Sequence, residues 1–435
     1  MSTAALPTPS DPAAAPGTPL VVRSVPLEDP GPLLALLPAG LAASEVVSWV
    51  RRGEGLVGWG VAAECRTRGP QRFAEAQDWW SAVAAHASVR DEVGLPGSGA
   101  VVFGSFPFAD DSAEEARLVV PAVTVGRRGS RWWVTTAYAG AGASRLPVVA
   151  PAPAPEAPYD VAFADGAQEP VQWAGSVAEA VRRINRGDVD KVVLARDLLA
   201  VARRPVDARW VLQQLAARYD TTWTFAVGGL VGATPELLVR RDQGLVTSRV
   251  LAGTIRRTGD DVKDLALAGG LARSSKDLEE HEYAVRSVAD ALAPHCSSMN
   301  VPESPFVLHL SNVMHLATDV TGVSADAVSS LGLAASLHPS AAVGGTPTAE
   351  AVALIAELEG MDRGRYAGPV GWMDRSGDGE WGIALRCGRI DDDDPRAVRL
   401  YAGCGIVAGS VPEAEVAESD AKLVPMRDAL TATAS

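Results

Sequence analysis

Apolar positions in the first half of the chain follow two periods, and each period predicts a different element. Apolar and polar residues alternate in three stretches, residues 54–65, 99–108 and 130–140, which predicts strands. Residues 72–87 place apolar side chains at the spacing of a helix, so this stretch predicts an amphipathic helix. The first half is therefore expected to mix strands and helices.

The second half carries a clearer pattern of the same two kinds. Val177, Val181 and Ile184 fall on one side of a predicted amphipathic helix over residues 176–189. Further helices are predicted at 207–218, 274–285, around 326–338 and 411–423, and strands at 190–200, 221–229, 237–256, 367–375, 379–390 and 397–406. Hairpin-like strands mixed with helices indicate the α+β class, here a large layered α/β sandwich, rather than a strictly alternating doubly wound sheet.

Composition divides the chain into four segments. Residues 1–19 are rich in Pro, Ala and Thr, which predicts a disordered tail. Residues 20–148 form a first half, and the Pro/Ala-rich stretch 149–170 is either a surface connection or a subdomain boundary. Residues 171–430 form the second half. With 435 residues the chain is long enough to bury a large core.

Charge and cysteine content exclude several classes of function. The net charge of −14 disfavours binding to nucleic acid or to an anionic membrane. The four cysteines are scattered without a C-x-x-C pair, which argues against a zinc site. The chain has no run of about twenty apolar residues without a charged residue or a proline, so a transmembrane helix is not expected. The default expectation is a cytoplasmic protein.

Two acidic segments, SSKDLEEHEYAV (274–285) and VPEAEVAESDAKL (411–423), repeat one spacing. Asp277 and Glu280 are three residues apart, as are Glu415 and Glu418, so each pair shares a helix face. If the two faces meet, four carboxylates need a cation, and oxygen ligands select Mg²⁺, Ca²⁺ or Mn²⁺. The alternative is two solvated helix faces, with Ser274 capping the first helix.

Two further residues are candidates for acid–base chemistry. Lys191 begins an apolar strand, and Glu236 follows GATP just as the chain becomes apolar again. Partial burial lowers the pKa of a lysine and raises that of a glutamate, as general acid–base catalysis near neutral pH requires. The alternative is a solvated lysine at a strand edge and a glutamate in a turn.

A glycine-rich segment follows the last predicted strand. GCGIVAG (403–409) has the spacing of a dinucleotide-binding loop, but the 26 residues after it are too few for the ribose-binding acid of that motif. A nicotinamide site is therefore rejected. Close approach of the backbone to another ligand would explain the glycines.

Nine segments, in order along residues 170–425, together resemble the chorismate-utilising enzyme family and, within it, the isochorismate synthases. They are DKVVLAR (190–196), GATPELL (232–238), LAGTIRR (251–257), SSKDLEEH (274–281), VMHLATDVTG (313–322), LHPSAAVGGTP (337–347), RGRYAGPVGW (363–372), IALRCGRI (383–390) and YAGCGI…EAEVAESDAKL (401–423). The resemblance implies the layered sandwich of anthranilate synthase component I, with a single catalytic domain whose chorismate-binding region is 171–430.

The resemblance also implies a metal site and a substrate site. Glu280 and Glu418 would ligate Mg²⁺, while Asp277 and Glu415 would hold its waters. The metal would bind the ring carboxylate of chorismate. The remaining substrate-binding positions implied are Gly253, Thr254, His315, Ala342, Tyr366, Arg386, Gly403, Gly405 and Lys422. Among them, Arg386 and Tyr366 would bind the enolpyruvyl carboxylate together with backbone N–H groups of the two late glycines.

Single residues distinguish the members of this family. Lys191 is typical of members that use water as nucleophile, and Ala252 stands where aminodeoxychorismate synthases carry a lysine. No glutamine amidotransferase partner is therefore expected, and the chain is expected to be a monomer. Ala342 favours release of isochorismate over the pyruvate elimination of salicylate synthase, although Ser340 and Ala341 depart from the usual sequence beside it. The chain is rich in Ala, Arg and Gly, which is typical of a high-GC bacterial genome. Such a genome favours menaquinone, rather than a siderophore, as the destination of the product.

The resemblance implies a reversible substitution with an allylic shift. Neutral Lys191 would take a proton from water, which attacks C2 of chorismate. Protonated Glu236 would donate a proton to the departing C4 hydroxyl. The alternatives are salicylate synthesis, an ammonia-using synthase, or an inactive relative that binds an anionic metabolite.

Overall fold

Two large β-sheets face one another, and helices pack on their outer faces. The computed structural model describes residues 19–140, 146–309, 313–325 and 327–433, without the side chains at positions 254, 276 and 280. The predicted tail, residues 1–19, lies outside the described residues apart from Pro19. No helix in these ranges is long and apolar enough to cross a membrane.

Sheet A contains 13 strands within the described ranges. Its strands are β1 (Leu20–Leu27), β2 (Val46–Arg51), β3 (Glu54–Trp59), β5 (Ser88–Asp91), β8 (Val123–Arg128), β9 (Arg131–Ala139), β10 (Ala162–Asp165), β11 (Lys191–Val201), β12 (Trp223–Val227), β13 (Leu230–Thr234), β19 (Gly345–Thr346), β22 (Cys387–Ile390) and β23 (Ala397–Ile406). They lie in the order β10-β11-β23-β22-β13-β12-β2-β3-β8-β9-β1-β5, and β19 pairs with β11.

Sheet B contains ten strands in the same part of the chain. They are β4 (Ala63–Thr67), β6 (Val101–Ser105), β7 (Ala116–Val120), β14 (Leu237–Asp242), β15 (Leu245–Arg256), β16 (Cys296–Asn300), β17 (Phe306–His309), β18 (Val313–Ser324), β20 (Pro369–Asp374) and β21 (Gly379–Ile383). Their order is β16-β18-β15-β14-β21-β20-β6-β7-β4, and β17 pairs with β18.

Several of the α-helices begin at residues whose side chains cap them. They are α1 (Arg72–His86), α2 (Pro170–Arg186), α3 (Ala208–Arg218), α4 (Asp261–Leu271), α5 (Ser275–Leu292), α6 (Ser330–Leu337), α7 (Thr348–Leu358) and α8 (Pro412–Thr431). Short 3-10 helices span Leu33–Leu36, Ala43–Glu45 and Ala293–His295. The side chains of Asp207, Asp260 and Ser274 accept backbone N–H groups in the first turns of α3, α4 and α5.

Apolar side chains fill two layers on either side of sheet A. Trp49, Phe225 and Trp381 belong to the large cluster between the sheets. The second cluster packs sheet A against α3 and α8 through residues such as Trp210 and Met426. Burying apolar surface on both faces of sheet A is the main stabilising contribution to this arrangement, and it fixes the strands that carry the candidate site.

Most of the predicted elements are confirmed. The helix predicted at 72–87 is α1, and the two acidic segments form α5 and α8. The stretch 237–256 forms the β14–β15 hairpin. The stretches 54–65 and 379–390 each contain two strands instead of one, because the chain passes from one sheet to the other within them. The layered α+β sandwich is therefore confirmed.

The boundaries of the four predicted segments stay a prediction. Strands of the first half pair directly with strands of the second, as β2 does with β12 and β6 with β20. The connection predicted at 149–170 contains β10, which pairs with β11. Both sheets are thus built from both halves of the chain.

Candidate active site

Lys191 and Glu236 lie at two points where the chain enters or leaves sheet A. Lys191 is the first residue of β11 and is paired with Thr346 of β19. Glu236 lies in the two-residue link between β13 of sheet A and β14 of sheet B. Thr234 fixes this link, since its hydroxyl donates to Ile383 O at 2.6 Å and accepts from Glu236 N at 3.2 Å. The crossing between sheets therefore holds Glu236 in a defined position.

The carboxyl group of Glu236 is buried, and 8% of the residue is exposed. Burial raises the pKa of Glu236 to about 7, although Arg386, Lys191 and Lys422 oppose this rise through their positive charges. A carboxyl with this pKa is partly protonated at neutral pH. It can therefore donate a proton at the pH at which most enzymes work.

Gly405 provides the space that the Lys191 side chain occupies. A Cβ atom on Gly405 would lie 3.0 Å from Cε of Lys191 and 3.5 Å from its Nζ. Strand β23 pairs with β11 in a register that places Gly405 opposite Val193. The late glycines predicted to approach a ligand thus also accommodate the predicted base.

Gly403 lies two residues earlier on the same face of β23, beside two other predicted substrate-binding residues. A Cβ atom there would lie 3.1 Å from the hydroxyl oxygen of Tyr366. Lys422 Nζ donates to the carbonyl oxygen of Gly403 at 2.8 Å and lies 2.7 Å from Oε1 of Glu418. The ring of Tyr366 stacks on Tyr401, with centroids 5.1 Å apart and planes 9° apart.

Arg386 supplies a buried positive charge to the same region. Burial lowers the pKa of Arg386. Nearby groups, among them Tyr366, Glu418 and Glu236, act in the opposite direction and raise it. Its φ of 48° lies in the left-handed region, which costs a residue with a Cβ about 1–2 kcal/mol. Among the described residues no carboxylate forms an ion pair with its guanidinium, so this cation suits an anionic ligand.

Two acids of α8 form the candidate metal site with a thiol beside them. Ligand atoms of Glu415, Glu418 and Cys404 lie within 4.8 Å of one another. Burial raises the pKa of Cys404 to about 12, and a soft thiol is not the oxygen ligand that hard cations prefer. Burial raises the pKa of Glu418, but the combined attraction of Lys422 and Arg386 outweighs this and lowers it. Two ionised carboxylates fit a hard cation such as Mg²⁺.

Sheet B and α5 contribute the other predicted residues. Gly253 has a φ of 75°, and a Cβ atom on it would lie 3.3 Å from Cβ of Asp277. Burial lowers the pKa of His315 to about 3, with Arg386 and Lys422 adding to the effect, so this imidazole is neutral at neutral pH. Gly253 and His315 are thus neighbours, since a hydrogen bond to the Gly253 backbone acts on the imidazole.

Three predicted residues are placed less completely. The side chains of Glu280 and Thr254 lie outside the described residues. The carboxylate of Asp277 is not within the 4.8 Å group on α8, so the expected cluster of four acids stays a prediction. Ser274 does cap α5, since its hydroxyl accepts Asp277 N–H at 3.3 Å. Ala342 is half-buried in the turn before β19.

Sequence reasoning missed two residues beside the site. His281 is buried and joins α5 to sheet B, with Nδ1 3.3 Å from the Ala252 oxygen and Nε2 2.8 Å from the Thr318 hydroxyl. Its position four residues after Asp277, on the same helix face, was the available signal. Cys404 lies against the acids of α8, but nothing in the spacing of the scattered cysteines indicates this.

Comparison with known proteins identifies the class to which this sandwich and site belong. The chain resembles isochorismate synthase DhbC of Bacillus subtilis, at 40% identity over 60% of this chain and 68% of that protein. It also resembles the salicylate biosynthesis isochorismate synthase of Pseudomonas aeruginosa, at 35% identity over 86% of this chain and 82% of that protein. Both relatives are isochorismate synthases by name.

A solved structure and a family model agree with this class. The crystal structure described as a putative 2,3-dihydroxybenzoate-specific isochorismate synthase, DhbC, of Bacillus anthracis matches with a TM-score of 0.74 and 31% identity. The match covers 91% of this chain and 98% of that one. The model of the chorismate binding enzyme family matches residues 20–431. The chain belongs to that family.

Proposed function

We propose that the protein is an isochorismate synthase, which converts chorismate reversibly to isochorismate with Mg²⁺. The observation that carries the proposal is the buried Glu236, whose pKa is raised to about 7 and whose neighbours include Lys191. A proton donor and an amine base in one site are what a substitution of one hydroxyl by another requires. The names of the relatives support the same reaction.

In the proposed reaction Lys191 and Glu236 move one proton each. Lys191 takes a proton from water as the water oxygen forms a bond to C2 of chorismate. The ring double bond shifts, the C4–oxygen bond breaks, and Glu236 gives its proton to the departing hydroxyl, which leaves as water. The reaction consumes one water and releases one, so atoms and charge balance. The reverse reaction uses the same two groups with their protonation states exchanged.

The other residues of the site bind and orient the substrate. Arg386 and the Tyr366 hydroxyl would bind the enolpyruvyl carboxylate together with the backbone N–H of Gly403. His315 would line the pocket for the substrate ring, and because its imidazole is neutral it adds no charge beside that ring. Glu415 and Glu418 would hold Mg²⁺, together with Glu280 and Asp277 of α5. The metal would neutralise the ring carboxylate and withdraw electron density from the ring.

The destination of the product is proposed separately from the reaction. Isochorismate synthases similar to this chain carry names from different pathways, including menaquinone, salicylate and dihydroxybenzoate synthesis. We propose that the product is used for menaquinone synthesis. Two observations support this: the Ala/Arg/Gly-rich composition, typical of a high-GC genome, and 36% identity to a protein described as a putative isochorismate synthase MenF of Mycobacterium tuberculosis. A deletion strain whose growth is restored by menaquinone, and not by salicylate, would support this destination.

We propose that the protein acts as a cytoplasmic monomer without a glutamine amidotransferase. Lys191, typical of members that use water, supports the absence of that partner. Light scattering of the purified protein should give the mass of one chain, 45.2 kDa. Glutamine should leave the product unchanged when the protein is assayed in a lysate.

The test is incubation of purified protein with chorismate and Mg²⁺ in the absence of ammonium, followed by chromatography of the products. We expect isochorismate in equilibrium with chorismate, and no conversion in EDTA. Salicylate with pyruvate would assign the protein as a salicylate synthase. Conversion only after ammonium is added would contradict the role given to Lys191.

A further inference from the structure

A cavity lies beside the candidate active site, and charged residues dominate its lining. Its volume is about 350 Å³, within the ~300–1,000 Å³ range of small-molecule sites. Five arginines, four carboxylates and Tyr401 line it. None of the catalytic or substrate-binding residues discussed above is part of the lining. The cavity therefore needs an explanation of its own.

Two of these arginines face each other across neighbouring strands. Arg389 of β22 and Arg399 of β23 are direct partners in the antiparallel register, so their side chains share one face of sheet A. Like charges placed directly opposite each other destabilise a sheet. Both side chains are accessible, at 39% and 51% exposure. An anion between them would remove the repulsion.

The carboxylates near this arginine pair are already engaged elsewhere. Glu114 Oε1 lies 3.7 Å from Arg389 but accepts from Arg365 at 2.7 Å. Asp197 lies 3.5 Å from Arg399, and its other oxygen accepts Ala167 N–H at 2.8 Å. Both arginine contacts are longer than the ~2.7–2.9 Å of a charge-assisted hydrogen bond. The pair therefore retains N–H groups for a ligand.

Arg365 differs from this pair and is part of the wall. It is buried, and its guanidinium donates to Glu114, Ser105 and two backbone carbonyl oxygens. Its donors are used within the protein. Arg117 is paired with Glu64 and Asp392, and Arg68 with Glu115. Recognition of a ligand thus rests on Arg389 and Arg399.

The cavity and the active site lie along one face of strand β23. Residues two apart in a strand point to the same side, so Arg399, Tyr401, Gly403 and Gly405 form one row. Arg399 and Gly403 are separated by about 13 Å at the rise of a strand. Between them Tyr401, which lines the cavity, stacks on Tyr366, whose hydroxyl lies 3.1 Å from the position that a Cβ atom on Gly403 would take. The stacked pair is a physical connection between the two sites.

We propose that this cavity binds a small metabolite carrying a carboxylate or phosphate group, through Arg389 and Arg399, and that binding changes turnover through the Tyr401–Tyr366 stack. The effect on turnover rests on the proposed function, whereas binding of the anion to this cavity does not depend on it. The proposed function and the anion site can therefore be refuted separately.

Binding is tested by calorimetry with two probes, inorganic phosphate and succinate, on wild-type protein, R389Q, R399Q and R396Q. Arg396 is the matched control, since it is an exposed arginine paired with Asp394 and lies outside the cavity. We expect saturable binding of at least one probe to the wild type and R396Q. In R389Q and R399Q binding should be about tenfold weaker or more, as for the loss of a charge-assisted hydrogen bond.

The probe that binds more tightly identifies the ligand group as phosphate or carboxylate. Equal binding by all four proteins would overturn the proposal, because it would place the anion elsewhere, such as at Arg386. Absence of saturable binding of both probes to the wild type would overturn it as well.

The connection is tested by initial rates on chorismate with increasing probe, at ionic strength kept constant with chloride. We expect a saturable change in KM or kcat of about fivefold or more in the wild type, the low end of allosteric coupling. R399Q should keep the basal rate and lose the response. Y401L should bind the probe like the wild type and lose the response, while Y401F, which keeps the ring, should retain it.

A response that persists in Y401L, or a wild type that binds the probe without any change in rate, would refute the connection. Thermal unfolding of Y401L and Y401F verifies that both variants fold. A protein that binds the probe but does not convert chorismate would contradict the proposed function and leave the anion site standing.

Discussion

Arg363 and Glu359 form a buried ion pair that joins the strand of Lys191 to the turn of Ala342. Arg363 Nη2 donates to the Val193 oxygen at 2.7 Å, and its Nη1 donates to the Val343 oxygen at 2.8 Å. Glu359 accepts Ala195 N–H at 2.6 Å and Arg363 Nε at 2.9 Å. One pair of side chains thereby holds β11 and the turn before β19 together.

Replacement of Arg363 by methionine should lower the free energy of unfolding by about 3–5 kcal/mol, because Glu359 would keep a buried charge without its partner. Denaturant unfolding measures this loss. The double variant R363M/E359L should lose less than R363M alone, since it removes both charges. The more accessible pair of Arg182 and Glu179, at 66% and 28% exposure, is the control, and E179Q should change stability by at most about 1 kcal/mol. A loss of similar size in E179Q would contradict the argument from burial.

Lys191→Ala should lower kcat by about two to four orders of magnitude, the range for a positioned acid or base. The fold should persist, because Lys191 is half-buried at a strand end and not part of the core. Steady-state kinetics and thermal unfolding measure the two quantities. Lys263 is exposed on α4, so K263A is the matched control and should keep wild-type activity. An active K191A enzyme would exclude Lys191 as the base.

Glu236 should make activity fall as pH rises, because only its protonated form can donate to the leaving hydroxyl. The pKa of about 7 places the loss of kcat around pH 7 and above, while below it the carboxyl is protonated. E236Q cannot donate and should be slow at every pH. A kcat that stays constant from pH 6 to 9 would contradict the assignment.

Glu236 should also change stability with pH in a way that does not depend on activity. Its folded pKa of about 7 exceeds the ordinary value of 4.5, so ionisation disfavours the folded state. Between pH 4.5 and 7 stability should fall, by up to about 3 kcal/mol from this residue at 1.36 kcal/mol for each pH unit. E236Q should lack this decrease and should be more stable than the wild type at pH 8. The exposed Glu279 is the control, and E279Q should follow the wild-type curve.

Gly405→Ala should impair catalysis by displacing the side chain of Lys191. The added Cβ would stand 3.0 Å from Cε of Lys191 and displace the side chain, and Gly405 has no positive φ that alanine would strain. A displacement of this kind costs on the order of 100-fold in rate. Gly409 has open space around it, so G409A is the matched control. Equal kcat values for G405A and the wild type would show that Lys191 does not need its present position.

Local patterns predicted the elements well, because alternation and helical spacing are properties of short stretches. They placed Lys191 at the start of a strand and both acidic segments on helices. They could not assign strands to sheets. The chain passes from sheet A to sheet B at Glu236, and nothing in the alternation of β13 and β14 marks this. The burial of Glu236 follows from that crossing.

Two helices escaped prediction for different physical reasons. Helix α4 contains Gly269 and Gly270, which lower helix propensity. Helix α7 is a nearly continuous apolar run, for which spacing alone does not separate helix from strand. The ion pair of Arg363 and Glu359 was also missed, since charged residues in a sequence are expected at the surface. The two residues are only four apart in the chain, but the backbone groups that they bind, at Val193, Ala195 and Val343, come from segments that only the fold brings together.

Mg²⁺ should raise the thermal unfolding temperature of the protein, because a ligand that binds only the folded state stabilises it. Glu415 and Glu418 supply carboxylate oxygens to the candidate metal site, so E415Q and E418Q should reduce or remove the Mg²⁺-dependent rise, and EDTA should reverse it in the wild type. Glu413 lies exposed in the first turn of the same helix, so E413Q should keep the full response. A response that survives in both E415Q and E418Q would place the metal elsewhere, and no response in the wild type would contradict a Mg²⁺ site on α8.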